Sequence, residues 1–128
     1  MKKIALFLML ATTLLADSIT LDNQTKYPTK QTKMAVQWAD SAKEVDEANR
    51  ALMDGEKINP STLQKISGKG KVKLTVPNDA QLFRVLVWSN GAAAPDYSTN
   101  WIDITPDKTY TLDNDYLVPV VLMAGSGC

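Results

Sequence analysis

Histidine is absent from the sequence, which removes the side chain that most often moves protons near neutral pH. Its absence excludes Ser-His-Asp and Cys-His nucleophilic catalysis and takes away the commonest zinc and copper ligand. The 14 Asp and Glu residues are plentiful but sit mostly as Asp in turn-like segments. Glycoside hydrolysis needs two carboxylates held close together, one with a raised pKa, and no spacing here pairs any two. Asp113-Asn114-Asp115 offers oxygen ligands for a hard cation but lacks the glycine and distant glutamate of a calcium loop, so a plain turn is expected. Met34, Met53, Met123 and Cys128 are soft donors for Cu(I); without a Met-x-x-Met spacing, the methionines read as packing residues. No catalytic residue, metal or cofactor is expected.

Binding chemistry has better candidates. The segment Ser89–Asn100 contains Gly91 and Pro95 and is bracketed by Trp88 and Trp101. Aromatic residues anchor ligands well, and loops on a rigid scaffold often carry binding. Trp88, Asn90, Asp96, Tyr97, Asn100 and Trp101 form the candidate set, able to stack on and hydrogen-bond a sugar or peptide. Lys65, Lys69, Lys71 and Lys73 form a cluster in which Lys71 and Lys73 share one strand face. Lys69, Lys71 and Lys73 are an anion-patch candidate for a lipid head group or cell-wall polymer, set against a solvated face that discourages sheet aggregation. Ser67-Gly68-Lys69-Gly70-Lys71 lacks the spacing of a phosphate loop. Asn23-Gln24-Thr25 is a glycosylation sequon, a pattern common by chance.

These groups need strands to position them. Ser18–Asp22 and Lys33–Trp38 alternate apolar and polar residues with period two, as half-buried strands do. The period then lengthens: Ser41-Ala42-Lys43-Glu44 is a capping box, Val45, Ala48, Leu52 and Met53 form an apolar stripe, and Gly55 offers a stop. The pattern predicts one amphipathic helix, Ala42 to Met53. Asn59-Pro60-Ser61-Thr62 starts a turn or short helical piece. Lys71–Val76 is a strand with a lysine-rich wet face. Leu82–Trp88 is apolar almost throughout and reads as a central strand buried on both faces. Trp101–Ile104 and Thr109–Leu112 follow as short strands, and Tyr116–Met123 as the last, placed at an edge or bulge by Pro119. Leu117, Val118, Val120 and Val121 are then the candidate edge for pairing with a partner strand.

About seven short strands, regular turn signals and one inserted helix predict an antiparallel β-sandwich, immunoglobulin-like or transthyretin-like by fold-level analogy. Residues 1–16 combine a basic start, a short apolar run and a small residue before Asp17. They read as a cleavable secretory signal, too short to span a bilayer. The rest, 17–128, is of single-domain size and ends in a short Gly/Ser tail. With Lys2 and Lys3 gone, 12 basic residues face 14 acidic ones. That balance gives no reason to seek nucleic acid, and no second apolar stretch could span a membrane. Cys128 is the only cysteine, so it makes no internal disulfide; pairing with a second copy, and a free thiol, are both expected states.

The sequence thus predicts an exported, periplasmic or secreted, non-catalytic domain that recognises a protein partner as an inhibitor, immunity protein or envelope-assembly component. A self-assembling surface subunit locked through Cys128 is the first alternative. A carboxylate-dependent glycan or cell-wall hydrolase is the second.

Overall fold

A strand that alternates apolar and polar residues must bury one face, and two such sheets facing each other satisfy that demand together. The computed structural model describes residues 17–122; residues 1–16, read above as a leader, and 123–128, with Met123, the Gly/Ser tail and Cys128, lie outside the described residues. Sheet A is ordered β4 (Gly70–Thr75), β1 (Ser18–Asn23), β8 (Thr109–Leu112). Sheet B is ordered β3 (Gln64–Ile66), β2 (Lys33–Ala39), β5 (Leu82–Trp88), β6 (Tyr97–Ser98), β9 (Val118–Pro119). β7 (Ile102–Asp103) pairs with the start of β5 on the flank that carries β6. The described residues form a mainly β sandwich, with the helix α1 (Ala42–Met53) packed against it.

Ile19 and Leu21 from β1, Leu74 from β4 and Leu112 from β8 meet Met34, Val36, Phe83, Val85 and Val87 of sheet B in the main core. Each buried aliphatic or aromatic side chain there contributes about 1.5–3 kcal/mol. A second, smaller cluster lies on the other face of sheet B, where Ala35, Leu86 and Trp88 pack with Leu52 of α1. Two buried faces explain why β5 is apolar at nearly every position.

The helix ends are as the sequence predicts, with two refinements. Ser41 caps the amino end by accepting from the Glu44 N–H, but the Glu44 carboxylate accepts from the N–H of Asp40 at 2.7 Å rather than from that of the cap. At the other end the Gly55 N–H donates to Leu52 C=O and the Glu56 N–H to Ala51 C=O, both at 3.1 Å. That paired closure needs a left-handed residue, and Gly55 supplies it with φ of 70°. The packed stripe is Val45, Ala48, Asn49 and Leu52, with only Leu52 fully buried; Met53, expected on the stripe, is exposed.

Four other features depart from expectation. The described residues form nine strands rather than about seven, because β3 and β6 are short and carry no clear alternation. One pairing, β1 with β8, is parallel, from Thr20 opposite Thr109 to Asn23 opposite Leu112. A parallel neighbour needs a long crossover, and nearly the whole chain between the two strands provides it. The Ser89–Asn100 segment is not one long loop, since β6 interrupts it. The last strand is not Tyr116–Met123: Asn114–Tyr116 is a 3-10 turn, β9 is two residues long, and the chain turns helical from Val120. Among the described residues no helix is long and apolar enough to cross a membrane.

Candidate functional site

The six loop candidates do not converge. Trp88, at the end of β5, is buried toward the helix side and donates its indole N–H to Ala93 C=O at 3.2 Å. Asn90 is exposed and closes a turn by accepting from the Ala92 N–H. The Asp96 carboxylate is spent on Ser89, accepting from its N–H at 2.8 Å and from its hydroxyl. Tyr97 points the opposite way, into the inter-sheet side, where its ring centroid lies 6.1 Å from that of Tyr27. Asn100 is exposed, and Trp101 lies over Arg84. Alternation within β6 drives neighbouring residues to opposite faces of sheet B, so one contiguous stretch of sequence does not make one contiguous surface.

The lysine cluster splits as well. Lys71 and Lys73 stand on the outer face of sheet A, with Lys71 opposite Asp22. Lys65 is on β3, opposite Ala35, on the helix side of sheet B. Lys69 lies in the turn between β3 and β4. What remains is a lysine-guarded edge strand rather than a single anion patch. Of the soft donors among the described residues, Met34 is fully buried in the main core while Met53 is exposed on α1; Met123 and Cys128 lie outside the described residues. Asp113 caps the 3-10 turn, and Asn114 accepts from the Lys26 N–H. Asn23 of the sequon is 1 % exposed, and its amide nitrogen donates to Tyr27 C=O and Gly68 C=O.

The edges separate more clearly. Sheet order leaves β4, β8, β3 and β9 at the margins. β4 carries Lys71 and Lys73. β3 has three residues, two of them exposed. On β9 the Val120 N–H donates to Asp96 C=O at 2.8 Å; residues 118 and 120 therefore face β6, and Pro119 faces outward, where its missing N–H denies an incoming strand a donor. Of the proposed edge residues, Leu117 is buried in the core, Val118 lies in β9, Val120 is half-buried at the helical turn, and Val121 is 74 % exposed.

β8 differs from the other three. Lys108 C=O accepts from the Thr20 N–H at 2.9 Å and Leu112 C=O from the Gln24 N–H at 2.7 Å. Even-numbered residues of β8 thus turn their backbone groups to β1, and Thr109 and Thr111 turn theirs outward. No proline or charge interrupts Thr109–Leu112. Alongside runs a groove of about 560 Å³ between β8 and the strands of sheet B, with Asn100, Ile102, Tyr116 and Val118 across from the threonines and Leu21 and Val85 of the core at its floor. Sequence reasoning missed it, although Thr109-Tyr110-Thr111-Leu112 does carry the signal of an unguarded strand.

A buried cation is the second feature missed. Arg84 is 0 % exposed in the middle of β5. Its Nε donates to Gln37 Oε1 at 2.7 Å, Nη1 to Asn49 Oδ1 at 2.9 Å and Nη2 to Ala48 C=O at 3.1 Å. All three acceptors are neutral. Desolvation lowers its pKa below the ordinary guanidinium value, to about 10, so it stays charged at neutral pH. An arginine inside an otherwise apolar run was the visible sign.

No protein-family model and no curated protein matches this chain.

Proposed function

We propose that this chain is a non-catalytic, exported binding domain that captures a protein partner by adding an extended partner segment to sheet A as a strand beside β8. One observation carries the reading: the outward backbone groups of Thr109 and Thr111 line an apolar-floored groove at the one sheet margin whose strand contains no lysine or proline, with Lys108 and Asp115 also in the groove lining. Strand addition draws affinity from main-chain hydrogen bonds and specificity from alternate side chains that enter pockets. Here the pockets are the spaces beside Ile102, Tyr110 and Val118. Thr111→Pro removes an outward N–H while leaving the bonds between β8 and β1 in place.

The test is a peptide-display selection against the folded chain, followed by hydrogen exchange. Bound peptides are expected to carry apolar residues at alternate positions, to protect the Thr109 and Thr111 amides, and to lose binding in Thr111→Pro. Undiminished binding in a folded Thr111→Pro variant overturns the assignment.

A second reading, self-assembly into a surface structure, draws on a different observation. Met53 and Leu122, 48 % and 61 % exposed, flank a groove of about 520 Å³ with Trp101 and Val118. A monomer by light scattering at high concentration, with and without reductant, removes it.

A further inference from the structure

Three segments distant in sequence meet around Trp88. Lys33 opens β2 directly opposite Trp88 in the antiparallel register, and so lies beside it on the same face of sheet B. The 57–60 stretch is drawn in by the Ile58 N–H, which donates at 3.0 Å to the same Ala93 C=O that the Trp88 indole uses. The third wall is the turn at Gly91, whose φ of 78° admits a residue without Cβ. Together they enclose a concavity of about 370 Å³.

Its chemistry is one-sided. The charged groups in the lining are two lysines, Lys33 and Lys57, and no carboxylate faces them. Of the acidic residues near in sequence, Asp96 is already committed to Ser89. The Asn59 oxygen accepts from the N–H of Ser61 at 3.0 Å and from its hydroxyl at 2.8 Å, so what Asn59 has left to offer is its amide N–H₂ group. Two lysines and the amides of Gln31 and Asn59 line a hollow that also has the Trp88 indole in its wall. Such a lining, with two lysines and no carboxylate, favours an acceptor-rich anion on a compact body over a cation.

We infer that this pocket binds a small organic carboxylate, with Lys33 and Lys57 holding the carboxylate and Trp88 supplying an apolar wall. The site lies on the helix side of sheet B and is independent of strand capture at β8. A sugar acid and the carboxyl terminus of a short peptide present the same chemistry, and both are of a size to enter.

The test follows the Trp88 indole N–H by nuclear magnetic resonance in the full exported chain, titrated separately with glucuronate, N-acetyl-alanyl-alanine and neutral glucose. Saturable shifts with one or both carboxylates and none with glucose are expected; which carboxylate binds more tightly identifies the source. Affinity should fall about fivefold for each of Lys33→Gln and Lys57→Gln, the upper range for an exposed ion pair. It should also weaken steadily between about 50 and 500 mM salt in the unaltered chain, where no question of misfolding arises. Absence of a saturable shift with either carboxylate overturns the inference. So does equal binding of glucose, or binding indifferent to both salt and the lysines.

Discussion

The Arg84 guanidinium carbon lies 4.5 Å from the centroid of the Trp101 ring, and both side chains donate to the same oxygen, Asn49 Oδ1, at 2.9 Å. This contact joins three elements: β5 supplies the cation, α1 the acceptor, and the segment before β7 the indole. With Leu52 the only fully buried residue of α1, the helix is held to sheet B as much by this polar cluster as by apolar packing. Trp101→Phe keeps an aromatic face over the cation and loses one hydrogen bond, a cost of about 1 kcal/mol. Trp101→Leu loses both and should cost about 2–3 kcal/mol. Urea denaturation of the two variants checks the order.

Replacing Arg84 by lysine tests the buried charge through its pH dependence. With a folded-state pKa of about 10, Arg84 is protonated in the folded and unfolded states alike well below that pH, so it contributes almost no slope to stability between about pH 6 and 8. A lysine ammonium there cannot reach Gln37, Asn49 and Ala48 together, and desolvation pushes its folded-state pKa below the unfolded value of about 10.4. A base with a depressed folded-state pKa destabilises at low pH and recovers as pH rises toward the unfolded value. The penalty of Arg84→Lys should therefore shrink as pH rises from neutral toward 10. A penalty independent of pH contradicts the burial.

Asn23 ties the end of β1 to two other segments. Its oxygen accepts from the Thr25 N–H and hydroxyl, and its nitrogen donates to Tyr27 C=O at 2.8 Å and Gly68 C=O at 3.0 Å. Asn23→Ala strands several buried polar groups and should cost about 2–4 kcal/mol. Thr25→Ala, which removes a smaller part of the same cluster, should cost less. Thermal unfolding of the two variants gives the comparison.

Gly55→Ala places a Cβ on a residue at φ 70° where no neighbour lies within 4 Å. The cost, about 1 kcal/mol, is therefore conformational and not steric. Gly55→Asn, which tolerates the left-handed region better, should lose less than alanine does. Equal losses would point to an effect other than backbone strain.

Much of the scaffold was legible because its signals are periodic. Period two located β1, β2 and β4, an unbroken apolar run located β5, and period 3.6 with a hydroxyl cap and a glycine stop located α1 to the residue. The signals failed where tertiary context decides. Val120-Val121-Leu122 is apolar and β-favouring, yet these residues turn helical once Pro119 has ended β9, leaving Val121 and Leu122 exposed. Tyr97-Ser98 is too short to carry a period, and it becomes a strand because Val87 and Leu86 offer it a ladder. Binding candidates fared worse than elements. Composition marked Trp88 and Trp101 as notable but could not place them in two separate hollows, and the unguarded Thr109–Leu112 segment cannot be recognised as an edge until sheet order is known.

The place of β1 in sheet A has a consequence for the order of assembly. The strand that begins at Ser18 is the middle one of its sheet, and its partners begin at Gly70 and Thr109. Sheet A therefore cannot close until almost the last strand has emerged, however early its first strand is made. Such distant pairings fold slowly. Under the export proposed above, that delay would keep the amino-terminal portion, whose sheet A partners lie far along the chain, pliable until the remainder arrives.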